Sequence, residues 1–373
     1  MSILAAGFAA ALLVAWANGA NDNFKGVATL HGSGTLAYWP ALAWATAATF
    51  CGSIAAIPLA GGLVRRFGGK GLVADSVAAD PAFILSVAVG AAGAVLLATR
   101  FGFPISTTHA LTGGLVGAGM VLAGPAHVSY GTLGATFLLP LLCSPIISMV
   151  LAATAYLAFS GLRRRAGITD EMCVCLGGVE QVATSVPGTA SVLLTSGLTV
   201  SVDSLERCER RYAGRVLGFD AQALLDRLHV FSAGAVSFAR GLNDTPKIAA
   251  LLVAAKALGV SGGMTLAALA MALGGLLAAR RVARTMSFGI TPMSHGQGFT
   301  ANLVTAALVT LATPLGIPVS TTHVACGSLF GMGAVIGGAR WRTIGGILTA
   351  WVTTLPMAAI LAAGSAFATL LLR

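Results

Sequence analysis

Two short motifs carry the acids and hydroxyls that could do chemistry inside an otherwise apolar chain. Gly19-Ala-Asn-Asp-Asn-Phe-Lys25 places Asn21 and Asp22 side by side with a lysine three residues on, and Gly241-Leu-Asn-Asp-Thr-Pro-Lys247 repeats this with Asn243, Asp244 and Lys247. An Asn amide, an Asp carboxylate and main-chain carbonyls freed at a helix break are hard oxygen ligands for a small cation such as Na+, and the carboxylate can equally take up a proton. The alternative is that Lys25 and Lys247 simply neutralise the acids along one helix face. A second pair of motifs, Gly102-Phe-Pro-Ile-Ser-Thr-Thr-His109 and Gly316-Ile-Pro-Val-Ser-Thr-Thr-His323, has the grammar of a helix start. The proline resists continuing a helix, Ser106 and Ser320 are good N-caps, and the following N–H groups lie at the positive end of a helix dipole. Such an end attracts anions.

These motifs lie in a chain that is 56% hydrophobic and 9% charged, against roughly 25% charged in soluble domains. That composition predicts an all-α polytopic membrane protein. Several apolar stretches are shorter than the ~20 residues of a full span and others are longer, so some helices are expected to be broken or re-entrant, ten to twelve pieces in all. The net charge of +10 does not indicate a nucleic-acid partner. Arg and Lys gather at segment ends (Arg65, Arg66 and Lys70; Arg163 to Arg165; Arg280, Arg281 and Arg284; Arg340 and Arg342), where juxtamembrane charge belongs. Ala15-Trp-Ala17 follows an apolar run, but no Lys or Arg precedes it, so a signal peptide is not expected. Cys51, Cys143 and Cys326 read as small buried side chains, and Cys173, Cys175 and Cys208 lack a fourth zinc ligand at normal spacing.

Two motifs repeated in the same order point to an internal duplication. Residues 1–161 form a first transmembrane repeat and 227–373 a second, and inverted topology is the expectation for a transporter with its site at the repeat interface. Between them, residues 162–226 hold eight of the chain's twelve acids. They read as a polar cytoplasmic linker or a small, partly β module, with Arg163 to Arg165 setting its side of the membrane.

Outside that insert only Asp22 and Asp244 lie within apolar sequence, at equivalent repeat positions. An acid at the bilayer centre costs roughly 2.5–3.5 kcal/mol even on lenient scales, so each needs a cation. Two carboxylates and a phosphate or sulfate in one cavity would repel by about 4 kcal/mol per close pair at an effective dielectric of 20. Charge balance therefore predicts symport. Arg240, four residues before Asp244, could pair with it, whereas the first half has Asn18 there. Gln297 and Asn302 could add ligands, or could satisfy loop backbone. His109 and His323 could shuttle protons or pack against the break. A hydrolase is not expected, because a duplicated nucleophile has no chemical use; an anion channel would be hindered by two buried acids.

The Gly-Ala-Asn-Asp motif, its Gly-Leu-Asn-Asp echo and the paired Pro-x-Ser-Thr-Thr-His motifs together resemble the inorganic phosphate transporter family, over both hydrophobic halves. The resemblance implies two inverted repeats, often dimeric, in the cell membrane, moving phosphate with sodium or protons and needing no resident cofactor. It implies that Ser106, Thr107, Thr108, Ser320, Thr321 and Thr322 hold the anion, completed by Asn21 and Asn243. Asp22 and Asp244, with the same asparagines and with Gln297 and Asn302, would handle the cation. Lys25 and Lys247 depart from the small residues common in the family. Each lysine could replace one cation, and sulfate, transported by a similar branch, remains the alternative substrate. Sulfate cannot donate a hydrogen bond at neutral pH and phosphate can, so an acceptor beside the anion would favour phosphate.

Overall fold

A computed structural model describes residues 3–59, 61–165, 172–182, 193–204, 217–254 and 258–372. The long helices are α1 (Ile3–Asp22), α2 (Tyr38–Ala55), α3 (Pro81–Phe101), α4 (Thr107–Leu122), α5 (Leu139–Arg165), α6 (Ala221–Ala254), α7 (Val260–Ala278), α8 (His295–Ala312), α9 (Thr321–Ile336) and α10 (Trp341–Leu371). Five helical stretches, Ile3–Gly32, Pro81–Phe101, Tyr130–Arg165, Val260–Ala278 and Trp341–Leu371, are long and apolar enough to cross a membrane. The protein is a helical membrane protein.

The chain divides into two compact units, residues 1–156 with 229–373, and residues 157–228. The second unit contains a three-stranded antiparallel sheet, β1 (Met172–Val182), β2 (Leu193–Ser204) and β3 (Leu217–Asp220), in the order β2-β1-β3, with a bulge between Gly178 and Glu180. The side chains of Cys173, Cys175 and Cys208 fall outside the described residues.

In the first unit the halves are interleaved. Helix α1 lies on α3 but also on α7, and α10 lies on α3 and α4. Each octapeptide is the hinge of a helical hairpin, α3–α4 and α8–α9. Gly102 (φ 75°) and Gly316 (φ 63°) adopt the left-handed conformation that glycine tolerates. Gly102 N–H donates to Thr99 O and Phe103 N–H to Ala98 O, both at 3.0 Å; Gly316 N–H and Ile317 N–H repeat this on Thr313 O (2.9 Å) and Ala312 O (3.1 Å). Proline then blocks resumption of the old helix, and the serine caps the new one. Ser106 Oγ accepts from His109 N–H and Ser320 Oγ from His323 N–H, each at 3.1 Å. Serine and histidine thus meet as cap and capped backbone, which is why their spacing is the same in both copies.

Two sequence expectations need correction. The first acidic motif ends a helix, but the second does not break one: α6 runs through Gly241 to Lys247 with Pro246 inside it. Pro246 lacks an N–H, so the Leu242 carbonyl loses its helical partner without the helix ending. The motif glycines also serve close approach. A Cβ on Gly19 would lie 1.9 Å from Met271 O, and one on Gly241 2.1 Å from Thr49 O, so these glycines let α1 meet α7 and α6 meet α2. Cys51, expected to be buried, is exposed on α2, while Cys326 is buried.

Candidate anion and cation site

The two octapeptide hinges and the two acidic motifs converge on one buried cluster. Asp22, Asp244, Lys25, Lys247 and Arg240 are all 5% exposed or less, so every charge must be answered from within the protein. Lys25 Nζ donates to Asp22 Oδ1 at 2.5 Å, Thr322 Oγ1 at 2.7 Å, and Asn21 Oδ1 and the Ile105 carbonyl at 2.8 Å. Lys247 Nζ donates to the Val319 carbonyl at 2.7 Å, Thr108 Oγ1 at 2.9 Å and Asp244 Oδ1 at 3.3 Å. Each lysine therefore binds its own aspartate, the carbonyl between proline and serine in its own hinge, and the last threonine of the other half's triplet. This exchange brings both Ser-Thr-Thr helix starts within the reach of one lysine side chain.

The other threonines face the acids. Thr107 Oγ1 donates to Asp22 Oδ2 at 3.3 Å and Thr321 Oγ1 to Asp244 Oδ2 at 3.1 Å. The N–H groups of Thr107, Thr108, Thr321 and Thr322 lie in first turns, where helix geometry supplies no intrahelical acceptor. Arg240 reaches across to the first half, donating to Asn18 Oδ1 at 2.6 Å and Asn23 Oδ1 at 3.0 Å, while its Nε lies 3.8 Å from Asp244 Oδ2. Asn18 in turn donates to Asp22 Oδ2 at 3.0 Å and Thr107 Oγ1 at 2.9 Å. Arg240, four residues before Asp244, thus binds Asn18, four residues before Asp22.

The lysines, one of the two readings left open by the sequence, are the immediate partners of both acids. The need for a cation at each aspartate is met by a resident side chain. Gln297 lies apart from this cluster, in a capping box with Ser294 at the start of α8; its Oε1 accepts from Ser294 N–H at 2.7 Å and its Nε2 donates to Tyr156 at 3.3 Å. Asn302 is buried and donates to Thr29 Oγ1 at 2.8 Å. His109 and His323 stand with ring centroids 4.6 Å apart, and His323 stacks on Trp351 at 3.9 Å. Both line an apolar cavity of about 700 Å³ with Pro145, Leu348 and Leu355, the setting of packed rings. Sequence reasoning missed the carbonyls of Ile105 and Val319 and the hydroxyl of Thr99, which accepts from Asn21 Nδ2 at 2.8 Å. It named Asn18 only as a positional counterpart, although its place one helical turn before Asp22 was a usable signal. Among the described residues no group of His, Cys, Asp and Glu is arranged to hold a metal ion.

The sequence profile of the phosphate transporter family matches residues 18–362. The chain belongs to that family. It is a transporter-family protein and not an enzyme. Among its relatives, a Rhizobium meliloti protein named probable low-affinity inorganic phosphate transporter is 30% identical over 366 residues, covering 96% of this chain and 94% of the relative. The chloroplastic inorganic phosphate transporter 2-1 of Arabidopsis thaliana is 27% identical, covering 94% of this chain and 69% of its own. A solved structure titled the sodium-dependent phosphate transporter has the same fold, with a TM-score of 0.76 at 20% identity and full coverage of both chains. In this phosphate transporter family member the profile spans both acidic motifs and both hinges, and so the whole buried cluster.

Proposed function

We propose that the protein imports inorganic phosphate across the cell membrane by symport, with Na+ or H+ as the coupling ion. The anion is held between the two Ser-Thr-Thr helix starts and exposed to alternate sides as the two repeats, inverted in topology, move against each other. The observation that carries this reading is the reciprocal exchange, Lys25 to Thr322 and Lys247 to Thr108, which gathers two positive helix ends, two lysines and an arginine into one buried place. Three resident cations against two aspartates leave one positive charge for an anion to answer. The solved protein of the same fold is named for its sodium dependence, and that is what supports sodium as a candidate here.

Phosphate is favoured over sulfate by an acceptor. Oδ1 of Asn243 is buried without a hydrogen-bond partner among the described residues, as is Nε of Arg240. A protonated phosphate can donate to the first and accept from the second, whereas sulfate has nothing to donate. Leaving such an acceptor unpaired costs roughly 1–3 kcal/mol, enough to select between the two. The test is uptake of labelled phosphate and sulfate, in competition, into proteoliposomes with sodium and proton gradients imposed separately. Saturable, gradient-driven phosphate uptake resisting excess sulfate is expected; unsaturable flux would make the protein a channel, and equal competition would make it a sulfate permease. A homodimer is the expected assembly, checked by mass measurement in detergent.

A further inference from the structure

Each of the two buried lysines is ringed by oxygens. Around Lys25 Nζ stand four oxygens at 2.5–2.8 Å: a carboxylate, an amide, a main-chain carbonyl and a hydroxyl. Around Lys247 Nζ stand a carboxylate, a main-chain carbonyl and a hydroxyl at 2.7–3.3 Å. Hard neutral oxygens with one carboxylate form the donor set that a small hydrated cation exchanges its water for. Both sets lie where water does not reach, and both are assembled from the two halves together. An ammonium on a short tether answers the same electrostatic demand, and unlike a free ion it never leaves.

We propose that Lys25 and Lys247 are tethered replacements for coupling cations, so that the protein takes up phosphate without Na+ and the only travelling cation is a proton carried on the phosphate itself. This rests on the reading that phosphate binds at the cluster. An added Na+ within 4 Å of either ammonium would meet a like charge, a penalty of roughly a thousandfold in affinity at an effective dielectric of 20. The charge count agrees. Asp22 and Lys25 from the first motif, with Arg240, Asp244 and Lys247 from α6, set three cations against two acids and leave a single net positive charge; the rings of His109 and His323 stand at the head of α4 and α9. That charge is matched by the monoanion H2PO4− with no further ion, while the dianion would need one. Transport of the monoanion from a medium containing the dianion moves one proton with each phosphate.

The experiment uses the purified full-length protein in two measurements. In proteoliposomes under an inward proton gradient, replacing external Na+ with choline at constant ionic strength is expected to change phosphate uptake less than twofold; a tenfold or greater dependence on Na+ overturns the proposal. In detergent, Na+ is expected to give the wild type no thermal stabilisation beyond that of choline, with or without phosphate, whereas Lys25→Ala and Lys247→Ala, each with its oxygens vacated, are expected to gain a saturable Na+-specific stabilisation. A Na+ response in the wild type, or none in whichever variant folds, overturns it. Were the reconstituted protein to move no phosphate with either ion, the transport reading would fall, and the thermal measurement would still decide whether the lysines stand in for Na+.

Discussion

Asn21 and Asn243 hold equivalent places in the two motifs and end in different states. Oδ1 of Asn21 accepts from Lys25 and from Ile105 N–H at 3.1 Å, and its Nδ2 donates to Thr99 and to the Phe103 carbonyl. Nδ2 of Asn243 donates to Val319 O and Asp244 Oδ1, both at 3.1 Å, but its Oδ1 has no partner. The difference starts in the hinge backbone: Ile105 N–H turns to the asparagine, while Val319 N–H bonds to Ile317 O at 2.9 Å within its own loop. Lys25 and Lys247 differ in the same direction, with four close oxygens against three looser ones. The first acidic motif is thus tied off, whereas the second keeps an open acceptor on Asn243, and Nε of Arg240 on the same helix has no hydrogen-bond partner among the described residues. Two motifs alike in sequence end with one asparagine fully engaged and the other with an open acceptor.

The largest effect should come from breaking the tighter pair. Asp22→Asn leaves the Lys25 ammonium buried without its carboxylate, and removing one partner of a buried ion pair typically costs about 3–5 kcal/mol. Uptake is expected to fall by roughly a hundredfold or more, at 1.4 kcal/mol per tenfold, with a clear drop in melting temperature. Asp244→Asn should also abolish coupled uptake but lower the melting temperature less, because its nearest cation lies at 3.3 Å rather than 2.5 Å. Equal thermal losses, measured side by side in detergent, would break the contrast between the halves.

The next effect sharpens it. Asn243→Ala removes the open acceptor and should raise the KM for phosphate about tenfold, in the range of a hydrogen bond to a charged group. Inhibition by sulfate should become relatively stronger. Asn21→Ala, whose polar atoms are all engaged by the protein, should lower thermal stability with a smaller change in the phosphate-to-sulfate preference. If both alanine variants shift the preference equally, the second half has no special role in recognition.

Smaller and symmetric losses are expected at the caps. Ser106 and Ser320 accept the same hydrogen bond at the same 3.1 Å, and loss of a serine cap costs about 0.5–2 kcal/mol. Ser106→Ala and Ser320→Ala should therefore raise the phosphate KM several-fold, by similar factors, and leave the protein in the membrane. Unequal factors would show that the asymmetry extends from the acidic motifs into the hinges.

Local grammar made the hinges legible, because glycine, proline and serine each act on the backbone within a few residues. The helical membrane class was legible from composition. What the sequence could not show is contact between distant segments: Lys25 meets Thr322 across 297 positions, and no periodicity records that. The close approaches at Gly19 and Gly241 were hidden for the same reason, since what a glycine makes room for lies on another helix. The break expected at the second acidic motif is absent because a long helix held by neighbours can absorb the one hydrogen bond lost at Pro246. The sequence called for a cation at each acid and left a lysine three residues on and a travelling ion both open; lysine pairs with each acid, a choice that rests on how the segments fold back on one another.

The smallest effect concerns Gln297, whose amide could have served the cation. Its Oε1 instead accepts from Ser294 N–H, and the Ser294–Gln297 pair forms a reciprocal cap on α8. A capping box stabilises a helix start by roughly the 0.5–2 kcal/mol of other caps, and here it acts on a partly exposed end rather than in the cluster. Gln297→Ala is therefore expected to lower the melting temperature slightly and to leave the phosphate KM within twofold of wild type. Asn302→Ala, which breaks a buried bond to Thr29, should cost more stability and equally little affinity. A Gln297→Ala variant with normal melting but a tenfold KM would mean that α8 swings into the cluster during transport. It would then supply the open half with a ligand that the conformation described here holds in reserve.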